Sequence, residues 1–146
     1  MEIIHRKAAY NYFFHETLTA GIQLTGPEVK SIRGGQADLA DAWCFFKDGE
    51  LYVKNLYIKE YKDAGHIQQN PLRDRKLLLK KNELQKWEKK VKEKSFTIIP
   101  VKLFINEKGL IKLTLALSSG KKQHDKQAAL REKDLERAAA RELRRA

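Results

Sequence analysis

From residue 10 to residue 24 the even positions read Tyr10, Tyr12, Phe14, Glu16, Leu18, Ala20, Ile22 and Leu24, whereas the odd ones are mostly Asn, His, Thr, Gly and Gln. Alternation of period two over such a length specifies a long strand with one face buried. The run ends at Thr25-Gly26-Pro27-Glu28, where Thr25 and Glu28 have capping-box spacing and Pro27 sits near the first helical position. Val29 and Ile32 then share a face, and Gly34-Gly35 closes a helix of two turns at most.

The same reading places the remaining elements. Residues 42–46 and 51–58 are aromatic and apolar runs that flank Lys47-Asp48-Gly49-Glu50, and Asp-Gly is the pair that a two-residue hairpin turn prefers. A polar loop over residues 60–71 leads to Leu77-Leu78-Leu79, read as a short buried strand. Asn82 and Gln85 have cap spacing, and Leu84, Trp87 and Val91 fall at i, i+3 and i+7, which predicts an amphipathic helix to about Lys94. Residues 96–105 and 110–117 form a second hairpin around a four-residue loop, Asn106-Glu107-Lys108-Gly109. The expected fold is mainly β: an OB-like antiparallel barrel with short helices.

After Leu117 the pattern changes. Ser118-Ser119-Gly120 has linker chemistry, and beyond it there is no aromatic residue and only Leu130, Leu135 and Leu143 as large apolar residues. The expected organisation is a barrel core over residues 1–119 and a basic tail over residues 120–146. The tail holds a net +4 of the chain's +11. Its good helix formers carry too thin an apolar stripe to dock on a core, so it is expected to be disordered alone and helical on a partner.

Such a charge balance points to a polyanionic partner. No apolar run approaches the roughly 18–20 residues of a membrane span, since Lys102 interrupts the longest one. The start lacks the order of a signal peptide and the single Cys44 has no disulfide partner, so the expected location is cytoplasmic, without membrane contact. His5, His15, His66 and His124 stand far apart with no metal-ligand spacing. Cys44 reads as a small buried hydrophobe, Asp38 and Asp41 as a solvated loop, and Gly34-Gly35 lacks the context of a phosphate loop. The expectation is a protein that is not an enzyme and needs no cofactor or metal.

Basic residues carry the remaining signal. Ten Lys and Arg stand against four acidic residues between Leu72 and Lys94, and Arg6, Lys7, Lys30 and Arg33 gather near the first strand and helix. On the predicted helix these charges also fit a solvated face with pairs such as Glu83/Lys86 and Glu88/Lys92. Arg73, Arg75 and Lys76 fit that reading less well. A barrel with a basic rim, exposed aromatics and a basic tail suits contact with structured RNA, although composition does not choose between RNA, DNA and an acidic protein. Residues 118–126 read first as a flexible hinge with scattered charge, and more sharply as a Gly turn with paired lysines for phosphates and His124 for stacking on a base.

A set of motifs in fixed order resolves the choice. Arg6-Lys7-Ala8, Ala20-Gly21-Ile22, Glu28-Val29-Lys30-Ser31-Ile32-Arg33, Asp48-Gly49-Glu50, Pro71-Leu72-Arg73, Arg75-Lys76-Leu77-Leu78-Leu79 and Gly120-Lys121-Lys122-Gln123-His124-Asp125-Lys126 resemble the SmpB family, the SsrA-binding proteins of bacteria. The likeness runs from about His5 to the end. Among the departures, Thr19 stands where an acidic residue is frequent, Pro27 where Thr or Trp is, Lys80 where Asn is, and Gln127 where Arg is usual.

What the resemblance implies is an RNA chaperone of trans-translation. Its barrel binds the tRNA-like domain of transfer-messenger RNA (tmRNA), and the complex, a mimic of tRNA, enters the empty A site of a stalled ribosome. The protein is expected to be a monomer when bound, with small-subunit ribosomal RNA as the second partner. Carried over by position, Arg6, Lys7, Lys30, Arg33, Lys76 and Leu78 face tmRNA. Gly120, Lys121, Lys122, His124, Asp125 and Lys126 form the decoding-centre segment, and Lys133, Arg137 and Arg141 line the vacant mRNA channel. Glu28 is held apart, because its capping position explains it without RNA. The alternatives are a general OB-type binder of single-stranded RNA and a permanent structural protein of the ribosome.

Overall fold

The computed structural model of the chain describes residues 1–66 and 69–121. The elements in order are β1 (Glu2–Ile4), α1 (Ala8–Asn11), β2 (Tyr12–Ile22), α2 (Gly26–Arg33), β3 (Ala37–Asp38), β4 (Trp43–Lys47), β5 (Glu50–Lys54), β6 (Tyr57–Ile58), β7 (Arg75–Leu78), α3 (Lys81–Lys94), β8 (Thr97–Ile105) and β9 (Ile111–Gly120). The large sheet runs β1-β8-β4-β5-β7-β2-β9, and because β9 also pairs with β8 the sheet closes on itself. All pairings are antiparallel. The result is an OB-like barrel with β1 added outside β8 and a separate β3–β6 ribbon.

Closure follows from β2, β8 and β9, which are long enough to pair along much of their length. Ala20, Ile22, Leu51, Val53, Leu77, Leu103, Leu113, Leu115 and Leu117 fill the interior. The weakest seam joins β4 to β8 through the single pair Cys44↔Ile98. Helix α3 lies by that seam, with Leu84 and Trp87 buried and Val91 packed on the core. The long alternation in β2 holds from Glu16 to Ile22 and breaks at His15, where a bulge shifts the register between Phe14 and Glu16. That extra residue leaves Phe13 and Phe14 both exposed. A second bulge interrupts β8 between Pro100 and Lys102, and His5 engages it: the His5 N–H donates to Val101 O, and His5 Nδ1 lies 3.2 Å from Pro100 O.

Several local expectations are met. Thr25 and Glu28 close a reciprocal capping box with Pro27 in the first turn, and Gly34 caps α2. Lys47 pairs with Glu50 around Asp48 (φ 53°) and Gly49 (φ 76°), a two-residue turn with both central residues left-handed.

Other readings need correction. The long strand read over residues 10–24 is β2, the second strand, and it starts at Tyr12, because residues 8–11 turn as α1. Helix α3 starts earlier than the Asn82 cap implies: the Glu83 carboxylate accepts from the Lys80 N–H, so Asn82 and Gln85 are not its cap. The last hairpin resumes pairing at Ile111 rather than Leu110, with Asn106 Oδ1 accepting from the N–H groups of Lys108 and Leu110. The Leu triplet is not uniformly buried: Leu77 points in and Leu78 is 48% exposed, as strand alternation requires. Nor is Ser118-Ser119-Gly120 a linker. Those residues continue β9 and pair with Phe14, Phe13 and Tyr12, and Ser118 is fully buried.

Candidate nucleic-acid interface

Arg75 is the first residue whose place differs from its sequence reading. It stands in phase with Leu77 on β7, so its side chain enters the interior and is fully buried. There its guanidinium donates to Glu28 Oε2 at 2.5 Å, to Leu56 O at 2.6 Å and to Pro71 O at 3.2 Å. Arg73 grips the same carboxylate through Nε at 3.1 Å and Nη2 at 2.5 Å. Burial pushes the Glu28 pKa up, but hydrogen bonds from Arg73, the Thr25 N–H and Arg75 outweigh it and hold the carboxyl below its ordinary value. Burial acts to lower the Arg75 pKa, and Glu28 opposes that effect. Glu28 therefore ties the start of α2, the end of the 56–74 connection and β7 into one unit. Arg73 and Arg75 belong to the frame rather than to a free basic surface.

With Arg75 inside, its neighbours on β7 point outward. Lys76 stands opposite Tyr52 of β5, and Tyr52 in turn opposes Phe45 of β4. The Phe45 and Tyr52 rings stack at 5.7 Å. One step along, Leu78 opposes Gly21, Gly21 opposes Lys112, and Lys112 opposes Phe104. A Cβ on Gly21 would lie 3.2 Å from Leu78 Cβ and 3.6 Å from Lys112 Nζ, so the glycine lets these side chains close over the strand. The outcome is a row of apolar and cationic side chains across the outside of the barrel. Lys76 and Leu78, both carried over from the family motif, lie within it, while Tyr52, Lys112 and Phe104 join it only through strand register. Lys76 is also 3.7 Å from Glu50.

The other four candidates lie elsewhere. Arg6 and Lys7 are exposed on the turn before α1 and line a cleft of about 850 Å³ whose far wall includes Gly35, Asp38 and Asp41. That cleft is of mixed charge, since Glu2 also lines it. Arg33, in the last turn of α2, donates to Gly109 O at 3.3 Å in the β8–β9 hairpin tip. Lys30 sits 5.2 Å from the Tyr61 ring centroid. Helix α2 and the chain that follows it thus relate Lys30, Arg33 and the Arg6-Lys7 cleft. Among the described residues no hydrogen bond or ion pair joins that group to Lys76 or Leu78.

Helix α3 is less of a free cationic face than its composition suggests. Lys86 and Lys90 both engage Glu16 of β2, at 3.1 Å and 2.5 Å, so Lys86 does not serve Glu83. Hydrogen bonds from Lys90 and then Lys86 hold the Glu16 carboxyl down at about 2. The expected Glu88/Lys92 pair is present at 4.0 Å.

The root of the tail is described as far as Lys121. Gly120 ends β9 opposite Tyr12 and is exposed. The Lys121 N–H donates to Asn11 O at 2.9 Å, its ammonium donates to Ala9 O at 2.9 Å, and that ammonium lies 4.8 Å from the Phe13 ring centroid. His15 is 2.8 Å from the Ser119 hydroxyl and stacks on Phe96 at 4.4 Å. Lys122, His124, Asp125, Lys126, Lys133, Arg137 and Arg141 lie outside the described residues.

Cys44 is buried and its thiol pKa is pushed up by burial, the opposite of what an activated nucleophile needs. Among the described residues no group of His, Cys, Asp and Glu is arranged to hold a metal, and no helix is long and apolar enough to cross a membrane.

Comparison with known proteins places these features in context. The model of the SmpB protein family matches residues 3–145. An SsrA-binding protein of Phocaeicola vulgatus is 53% identical over 134 residues, covering 92% of this chain and 89% of that protein. One from Bacteroides thetaiotaomicron is 50% identical over 145 residues, covering 99% of this chain and 97% of its own. Among solved structures, a chain from one described as "tmRNA-SmpB: a journey to the center of the bacterial ribosome" is 41% identical with a TM-score of 0.69, covering 89% of this chain and 94% of the other.

Proposed function

The chain belongs to the SmpB protein family, and on that premise we propose that it binds the tRNA-like domain of tmRNA and delivers it to the empty A site of stalled ribosomes in trans-translation. The match over nearly the whole chain, tail included, is the observation that carries this reading. The protein acts as an RNA-binding partner in the cytoplasm and catalyses no reaction of its own. We take residues 1–119 as the RNA-binding core and 120–146 as the tail that probes the decoding centre and the vacant mRNA channel.

The physical support for a tmRNA-facing role is of two kinds. Lys76 and Leu78 present one cation and one apolar side chain on a rigid outer face, which suits phosphate and sugar contact with a folded RNA. Arg6 and Lys7 on the turn before α1 and Lys30 and Arg33 on α2 are all exposed, which suits contact with a second part of the same RNA. In the tail, Lys121 joins the segment to the barrel, and Gly120, Lys122, His124, Asp125 and Lys126 would meet the decoding centre, with His124 as the stacking side chain. Lys133, Arg137 and Arg141 supply cations suited to a channel walled by phosphates.

A competition assay at moderate salt tests the proposal, with the tRNA-like domain of tmRNA set against an unstructured single strand of equal length. Strong preference for the folded RNA is the expected result. Equal binding of both would reduce the protein to a general OB-type single-strand binder and refute the reading.

A further inference from the structure

Lys121 has its own place on the barrel. Helix α1 is a single turn, so its last carbonyls lack partners within the helix. Lys121, more than a hundred residues away in sequence, supplies donors to two of them: its N–H to Asn11 O and its ammonium to Ala9 O, each at 2.9 Å. A cation at the C-terminal end of a helix is also electrostatically favoured. Its third contact is the Phe13 ring, 4.8 Å from Nζ. Phe13 is 44% exposed and contributes nothing to the interior, so the inward-facing pattern of β2 gives no account of it. The Phe13↔Ser119 pair places the ring directly beside β9, the strand that leads into Lys121.

We propose that Lys121 is a positioning residue: with Phe13 and the carbonyls of Ala9 and Asn11 it clamps the root of the tail and sets the direction in which residues 122–146 leave the barrel. The functional consequence rests on the reading above, in which the tail must find a channel while the barrel holds RNA. The backbone bond to Asn11 O extends the β2–β9 pairing one residue past Gly120, and the ammonium then locks that residue against α1. The Lys121 ammonium thereby serves the barrel.

The test uses the full-length protein with a spin label at residue 123, introduced as Gln123→Cys; Cys44 is buried and does not compete for the label. Label mobility is read in the free protein, the affinity for the tRNA-like domain by titration, and tagging in a stalled-ribosome translation assay. Lys121→Met and Phe13→Leu should each free the label and lower tagging, with Phe13→Leu costing about two- to fivefold, the factor an exposed cation–π contact supports. Both should leave affinity for the tRNA-like domain unchanged, and Lys121→Arg should restore most of the wild-type behaviour. Unchanged label mobility in both Lys121→Met and Phe13→Leu would overturn the clamp whatever the protein's function. Freed label with undiminished tagging would overturn its positioning role. A wild-type protein that failed to prefer the tRNA-like domain would instead count against the functional reading, and the mobility readout would still decide the clamp.

Discussion

Replacing Glu28 by Gln is the sharpest test of how the barrel is held in shape. The substitution keeps the side chain's size and its acceptor oxygen but removes the negative charge shared by Arg73 and Arg75. Arg75 is fully buried, and what remains around its guanidinium is the carbonyls of Leu56, Asn70 and Pro71. A buried cation left without its counter-ion costs about 3–5 kcal/mol, and the retained amide oxygen places Glu28→Gln at the low end, about 3 kcal/mol. With a urea slope of about 2 kcal/mol per molar, the unfolding midpoint should fall by about 1.5 M. Arg73 is 35% exposed at its side chain, so Arg73→Met should cost about 1 kcal/mol or less. The double variant Glu28→Gln/Arg75→Met should be more stable than the sum of the single losses by at least about 1 kcal/mol, since neither charge is then left alone. Urea titrations of the wild type, Glu28→Gln, Arg75→Met and the double variant complete the cycle. A Glu28→Gln loss under 1 kcal/mol, or strict additivity, would refute the argument that Glu28 exists chiefly to neutralise a buried arginine.

Four further outcomes are expected. Trp87→Ala should cost about 3–5 kcal/mol, whereas Trp87→Phe should cost far less, because the buried indole N–H has no hydrogen-bond partner among the described residues; thermal unfolding of both checks this. The Glu16 pKa is depressed to about 2, so its ion pairs stabilise the fold above the ordinary carboxyl value of 4.5 and are lost as pH falls from there towards 2. Glu16→Gln should therefore flatten the acid limb of stability in that window, and an unchanged limb by urea denaturation at stepped pH would contradict it. Deleting residues 122–146 should leave a folded barrel that still binds the tRNA-like domain but does not support tagging, while a deletion from residue 118 also removes buried Ser118 and its pairs and should lower the melting temperature. For tmRNA binding, log affinity should fall by roughly 0.7–0.9 per phosphate contact for each tenfold rise in salt, and a flat response in filter-binding titrations would exclude phosphate contact as the main source of affinity.

The local elements of this fold were legible because each rests on a short-range rule. Thr25 with Glu28 forms a cap, and Asp48-Gly49 makes the left-handed turn that joins β4 to β5. The Leu84, Trp87 and Val91 stripe builds a helix against the core. The motif order was equally legible, and it identified the family before any geometry was known. Where the reading failed, a partner distant in sequence had intervened. His15 shifts the phase of β2 through a bulge, opposite a strand about a hundred residues later. Residues 118–120 look like a linker by composition, yet Tyr12, Phe13 and Phe14 draw them into the barrel.

The candidate site divides along the same line. Basic residue types and their motif spacing are written in the chain, so Lys76 and Leu78 could be named from it, and their outward-facing places follow from alternation about Leu77. The interior place of Arg75 could not be read the same way, because an arginine becomes tolerable inside only when a carboxylate and several carbonyls converge on it, and these come from α2 and from the 56–71 connection. Tyr52, Lys112 and Phe104 join Lys76 and Leu78 only through strand register, which a single sequence does not fix. Lys121 reads as one more cation in a basic tail until β9 brings it beside α1 and Phe13. Sequence alone determined the long strand, the two hairpins, helices α2 and α3 and the charges the chain carries, since these depend on neighbours within a few positions. Only closure of the barrel decided which charges became frame and which remained surface, because burial and pairing are properties of residues that meet from opposite ends of the chain.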